Sequence, residues 1–284
     1  MWRNNLNKYA IPLSLALMTA AAPAMAEDAA EEEPGSWLPG TFSGSAALTS
    51  NYMFRGISQT NNEPAIQAAL KYTLGTKDFD VDMGGYDINA YAGFWGSNVD
   101  FDEGRFDPTI KDSDKAQVEI DYQFGLNGTI GETGLGWDLG GIYYSYPGSR
   151  GSFNYNYWEF VPALSYTPLD WVSLGLSMPY SPDYFAGSGN SYYPNGSVVV
   201  TIPGIPKNWF TLKANGGVGY QFIDDNDRYG TPSYLTWTIG LTANIKGVDV
   251  GVAYYDTNIS KNDCFGGLQN WCETRFVGTV SYAF

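Results

Sequence analysis

The sequence predicts an all-β protein: a single transmembrane antiparallel up-and-down β-barrel of about 12 strands, with 10 or 14 as alternatives. Three observations predict it. Apolar and polar residues alternate with a period of two through most of the chain after residue 40, and helical periodicity appears nowhere in that stretch. There are 22 Tyr, 15 Phe and 9 Trp, yet mean hydropathy is only −0.24, so the apolar side chains are dispersed between polar ones. Long polar connections alternate with short ones, as they do in outer-membrane barrels and not in β-sandwiches.

The first residues set the compartment. Arg3 and Lys8, the apolar run IPLSLALMTAAA and the small residues Ala24 and Ala26 read as a secretory signal over residues 1–26, cut after Ala26. The run is too short to span a membrane. Residues 27–40 open with the acidic EDAAEEEPGS, expected to be disordered, and the barrel is expected over 41–284. Loss of Arg3 and Lys8 leaves 13 of the 15 basic residues against 30 acidic ones, a net charge of −17. Nucleic acid, which needs a basic footprint, is excluded as a partner. Histidine is absent, which removes Ser-His and Cys-His nucleophiles and histidine metal sites.

The strands follow in order. TFSGSAALTSNYMFR puts Phe42, Ala46, Leu48, Tyr52 and Phe54 on one face and Ser43, Ser45, Thr49, Asn51 and Arg55 on the other. Strand two sets Ile66, Ala68, Leu70 and Tyr72 against Gln67, Lys71 and Thr73. Strand three sets Tyr86, Ile88, Ala92 and Phe94 against Asp87, Asn89 and Tyr91. Strand four, AQVEIDYQFGLN, is the clearest, with Val118, Ile120, Tyr122, Phe124 and Leu126 between Gln117, Glu119, Asp121 and Gln123. Eight more are expected near 135–146, 155–167, 171–181, 191–202, 208–223, 233–246, 248–258 and 273–284. Within them, Leu235, Trp237, Ile239 and Leu241 alternate with Thr236, Thr238 and Thr242. Aromatic pairs near the strand ends (Tyr52/Phe54, Tyr143/Tyr144, Tyr157/Trp158, Tyr254/Tyr255) suggest interfacial girdles. The last strand, FVGTVSYAF, pairs with the first if the barrel closes, which leaves no open edge in lipid. Its terminal Phe284 looks like the ending that the barrel-assembly machinery of bacterial outer membranes reads.

The stretch SAALTSNYMFRGISQTNNEPAIQAAL, together with LDWVSLGLSMPYSPDYF and the final VGTVSYAF, resembles the bacterial family catalogued as Gcw_chp, or TorF-family porins. The resemblance implies a proteobacterial outer-membrane barrel, with pore formation assigned by analogy and no activity that transfers residue by residue.

Candidate site residues come from the inward face. Arg55 ends strand one and Arg275 begins strand twelve, so both fall near one mouth of the barrel, with Lys71 lower on strand two. Asp87, Glu119 and Asp121 oppose them on strands three and four. Such a wall would set a transverse field and tune which solutes pass. The alternative is an ion-pair network that plugs the lumen, since buried charges persist only when paired. In the loop GISQTNNEPAIQ, Gly56 is expected to supply a turn and Glu63 to be within reach of Arg55. Cys264 and Cys272, in CFGGLQNWC, are expected to form a disulfide. Asp100 and Asp102, with Asp224 and Asp227, are weak calcium candidates, because neither loop completes an EF-hand spacing; solvated acidic loops are the preferred reading. Glu119 and Asp121 lack an accompanying nucleophile or oxyanion motif, so neither an enzyme nor a cofactor is expected.

The sequence thus points to an outer-membrane channel passing small hydrophilic solutes through a charged lumen. The alternative is a closed barrel with a structural or recognition role for its external loops. Partners would be outer-membrane lipid, the solutes and the assembly machinery, and a monomer and an oligomer both fit.

Overall fold

A computed structural model describes residues 38–81, 83–149, 155–206 and 209–284. The expected signal and most of the acidic segment lie outside the described residues. None of the described helices is long and apolar enough to cross a membrane, and the spanning elements are strands.

In chain order the strands are β1 (Thr41–Thr49), β2 (Met53–Phe54), β3 (Ile57–Ser58), β4 (Ala65–Gly75), β5 (Tyr86–Asn98), β6 (Val118–Ile130), β7 (Leu135–Ser145) and β8 (Tyr157–Leu169). There follow β9 (Val172–Ser177), β10 (Tyr180–Ser181), β11 (Ser191–Tyr192), β12 (Asn195–Thr201), β13 (Thr211–Ile223), β14 (Tyr234–Ile245), β15 (Val248–Thr257) and β16 (Arg275–Ala283). Two one-turn helices, α1 (Glu103–Phe106) and α2 (Asn226–Tyr229), sit in long loops. β9 with β10, and β11 with β12, are single staves broken at Pro179 and Pro194, each of which lacks an amide for the ladder. The two breaks are adjacent, and the Tyr193 amide donates to the Pro179 carbonyl at 2.9 Å.

Every stave pairs antiparallel with its chain neighbours, and β1 pairs with β16 from Ser45↔Ala283 to Thr49↔Thr279, which closes a twelve-stave barrel. Gly44 and Phe284 exchange both backbone hydrogen bonds, at 2.7 and 2.9 Å, so the seam is paired to the last residue. The short hairpin β2–β3 stands outside this sheet.

Side-chain direction follows the period of two. Leu48, Ile66, Phe124, Ile239, Leu241 and Val280 are exposed on the outer wall, whereas Ser45, Gln67, Glu119, Asp121 and Asp138 are buried inside. At the long-loop end the paired aromatics split between the faces. Tyr143 and Trp158 pack outward with ring centroids 4.5 Å apart, while Tyr144 and Tyr157 stack inward at 4.2 Å.

Strand one is shorter than the alternation suggests. β1 ends at Thr49, and the chain then turns into the lumen, so Tyr52 and Phe54 are buried inside the barrel and not on its outer face. Arg55 likewise reaches the lumen from the hairpin and not from the wall.

An arginine on the outer face of a stave must meet hydrocarbon. Phe124→Arg, at the middle of β6, should lower unfolding free energy in lipid vesicles by about 2–4 kcal/mol. Gln123→Arg, on the inner face of the same strand, should lower it by less in the same denaturant titration.

Candidate functional site

The hairpin is the centre of the molecule's polar chemistry. Asn51 turns the chain inward, its side-chain carbonyl accepting from Ser58 Oγ at 2.7 Å and Thr60 Oγ1 at 3.2 Å. Arg55 and Gly56 form the tip with φ of 48° and 80°, the pair of positive values that a two-residue hairpin of the primed type needs. Gly56 is needed for space as well. A Cβ there would stand 2.5 Å from Thr236 Oγ1 on β14 and Thr257 Cγ2 on β15.

The tip delivers Arg55, 1% exposed, into a cage across the lumen. Its Nη2 donates to both oxygens of Glu159 on β8, at 2.8 and 2.7 Å, and its Nη1 donates to Gln221 Oε1 on β13 at 2.7 Å. The guanidinium lies 4.4 Å from the ring centre of Tyr193, 4.7 Å from Phe54 and 5.7 Å from Tyr184. Tyr193 can lie flat against the wall because β13 has Gly219 beneath it, where a Cβ would sit 2.5 Å from the ring. Tyr144 OH donates to Glu159 at 3.0 Å, and Gln221 Nε2 to Ser191 Oγ at 2.5 Å, so wall residues fix both partners of the arginine. Tyr52 adds a second anchor, donating to Glu119 Oε1 at 3.0 Å and packing edge-on to Trp95.

The external-type loops close over the hairpin. Phe101 packs on Tyr146, Tyr155 and Phe185, and Phe265 on Trp271 and Tyr229. The cleft left between these rings and the hairpin holds about 30 Å³, room for one water. Cys264 and Cys272 form the expected disulfide, and the loop it ties presents the Trp271 carbonyl to the Ser58 amide at 3.1 Å. A wider recess of about 840 Å³, lined by Leu48, Pro64, Ile66 and Asn98, opens on the outer wall and has no connection to this chemistry.

Below the hairpin the lumen is polar and partly exposed. Lys71 stands 5.9 Å over the Tyr91 ring, and Tyr91 OH donates to Asp138 at 2.9 Å. Lys213, Asn215, Thr242 and Asn244 are half-buried around the same space.

The expected site residues therefore separate. Arg55, Glu119 and Asp121 belong to the hairpin layer, and Lys71 to the polar space beneath it. Asp87 stands at the short-turn rim and pairs there with Lys77 at 2.6 Å, far along the barrel from Arg55. Arg275 is held in the long-loop mouth by Asn62 Oδ1 at 3.0 Å and the Asn270 carbonyl at 2.8 Å. The opposing partner of Arg55 is Glu159. Glu63 is exposed and turned away, since the hairpin carries Arg55 inward while Glu63 stays at the loop surface. Glu159 and Gln221 escaped the sequence reading, although a lone acid between Tyr157 and Val161 on an inward face is a charge in want of a partner. Asp100 accepts the Asp102 amide at 2.8 Å, Asp102 accepts from Gln269 at 3.3 Å, and Asp224 accepts from Asn190 at 2.8 Å. Asp227 lies in α2, and no metal-holding cluster of three or more His, Cys, Asp or Glu forms among the described residues.

Fold and interior together define a transmembrane β-barrel whose lumen is occupied by its own first long loop. Residues 31–284 match the family described as "Bacterial protein of unknown function (Gcw_chp)", and the chain belongs to it. No curated protein matches it in sequence. Among solved structures, an outer membrane channel from Pseudomonas putida F1 is similar at 9% identity and a TM-score of 0.47, over 90% of this chain and 99% of that one. The KdgM porin is similar at 10% identity and a TM-score of 0.42, over 86% and 99%. LpxR from Salmonella typhimurium is similar at 10% identity and a TM-score of 0.43, over 85% and 99%. No functional argument follows from likeness at this distance.

The long loop 99–117 carries a titratable anchor. Glu103 is buried and accepts the Ala116 amide at 2.8 Å, and burial raises its carboxyl above the ordinary 4.5. The folded loop then binds this proton more tightly than the unfolded chain, so the stability it lends is present below pH 4.5 and is lost as pH rises through the folded value. The hydrogen-exchange protection factor of the Ala116 amide should fall across that rise, and Glu103→Gln should flatten the dependence.

Proposed function

We propose that this protein is an outer-membrane channel for small hydrophilic solutes, shut by the inturned hairpin Met53–Ser58. The short turns face the periplasm and the long loops face the exterior. One observation carries this reading: a polar, partly exposed lumen leads from the short-turn end up to a plug held by charged and hydrogen-bonded contacts. Buried ion pairs recover hydration when they separate into water together, so they hold a segment in place with less net energy than apolar packing of equal size. The polar part of the plug favours release, against the apolar packing of Met53, Phe54 and Ile57. The charged groups at Lys71, Asp138, Glu119 and Asp121 would then line the open path and bias which ions and solutes enter.

The closed, non-conducting barrel is the second reading, favoured by the small cleft, about 30 Å³, between the hairpin and the ring cluster. Planar-bilayer recordings separate the two. The channel reading expects brief, infrequent steps from the unmodified protein. Arg55→Ala, which leaves Glu159 on the wall facing the plug unpaired at a cost of about 3–5 kcal/mol, should lengthen or multiply them. Silence from both proteins, each verified as folded by heat-modifiable migration, would establish the closed barrel instead.

A further inference from the structure

We infer that the wall pocket holding Arg55 is a recognition site for the guanidinium group of a small cationic solute, with Arg55 as its tethered stand-in. The inference rests on the plugged-channel reading. Four residues of the pocket belong to the barrel and its loops and not to the hairpin: Glu159, Gln221, Tyr193 and Tyr184. They offer a carboxylate, a carbonyl acceptor and two aromatic faces to one planar cation.

The pocket does not depend on the hairpin for its shape. Tyr144 holds Glu159, Ser191 holds Gln221, and Gly219 makes room for Tyr193, all from the wall. When the hairpin leaves, these groups stay aimed at the vacated position, which is the preorganisation that binding a small ligand requires. Recognition also stops at the head of the side chain. Both terminal nitrogens of Arg55 are bound, whereas its Nε has no hydrogen-bond partner, so the pocket reads the end of a guanidinium and ignores its stem. A free solute can present that same end. The acidic chain, with 30 acidic against 15 basic residues, raises the local concentration of cations at either mouth.

An ammonium of equal charge reproduces the contact with Glu159 but cannot also span to Gln221. The test uses the full chain carrying Arg55→Ala, methylguanidinium and methylammonium as probes, and calorimetric titration in detergent beside bilayer recording. Methylguanidinium should bind at least about tenfold more tightly than methylammonium, the worth of one hydrogen bond to a charged group. It should reduce the Arg55→Ala current over the same concentrations, and Arg55→Ala/Gln221→Met should lose the preference, while Arg55→Ala/Glu159→Gln should weaken both cations together. Equal binding of the two cations, with current still present, overturns the guanidinium site and leaves the channel standing. Preferential binding with no current from any variant overturns the channel and keeps the pocket. Should Arg55→Ala fail to fold, refolding into micelles is scored by heat-modifiable migration: restoration by methylguanidinium and not by methylammonium supports the site, and equal or absent restoration overturns it.

Discussion

The constraint beneath this architecture is that hydrocarbon offers no partner to a backbone amide or carbonyl. Twelve staves satisfy it only because β1 and β16 pair, down to the exchange between Gly44 and Phe284. Closure then dictates the rest. Each stave must show lipid an apolar face and the lumen a different one, which produces the alternation in the sequence. It also fixes the bore. Eight strands leave an interior that wall side chains can fill, while sixteen to eighteen leave an aqueous channel. A barrel of twelve falls between, and here an additional segment of chain occupies the surplus in the long-loop third. The short-turn end is left to Lys71, Asn89, Tyr91, Asn127 and Asp138, whose side chains contact one another in pairs.

What the sequence made legible was whatever depends on the pleat alone. The outward set at Leu48, Phe124, Ile239 and Val280 and the inward set at Glu119 and Asp121 follow from counting by twos, and the strand limits from residue 118 onward fall within a few residues of those expected. The departure of the chain from the wall after Thr49 was not legible, because SNYMFR still alternates well enough to pass for a strand. A trace was present: Tyr52, Met53 and Phe54 are three successive large apolar residues, and a lipid-facing strand that pointed Met53 into a polar lumen would be at odds with its own pattern. Three in a row suit a segment surrounded on all sides. The partner of Arg55 was hidden for another reason. Glu159 lies about a hundred residues on, and only the curvature of the closed sheet decides which inward acid ends up across from which base.

The polar plug has an asymmetry that apolar packing lacks. Removing Arg55 or Glu159 alone leaves an uncompensated charge in a dry layer, which is costly, whereas separating the two intact partners into water returns hydration to both. Loss of either partner alone is therefore costlier than separation of the intact pair. Tyr52 and Glu119 repeat the arrangement two staves along the wall, on β6, since phenol and carboxylate are both groups that water receives well. Apolar side chains at Met53, Phe54 and Ile57 oppose this by packing the hairpin into the buried cluster.

The two approaches to the Arg55 pocket are physically unlike. From the long-loop side it is covered by the rings of Phe101, Tyr146, Phe185 and Trp271, backed by a loop that Cys264–Cys272 ties short and that holds Ser58 through the Trp271 carbonyl. From the short-turn side the lumen is lined by polar side chains that are half-buried. A hydrophilic cation arriving from that side would give up its water late, where Glu159 and Gln221 could replace it. One arriving from the long-loop side would first have to part a cluster of aromatic contacts, each worth about 0.5–1.5 kcal/mol beyond area burial. The disulfide-tied loop makes that parting cooperative, because Trp271 cannot move without the backbone that also carries Asn270 and Arg275. Access from the two ends is thus set by different elements, the ring cluster with its disulfide-tied loop at one and the hairpin's charge pair at the other.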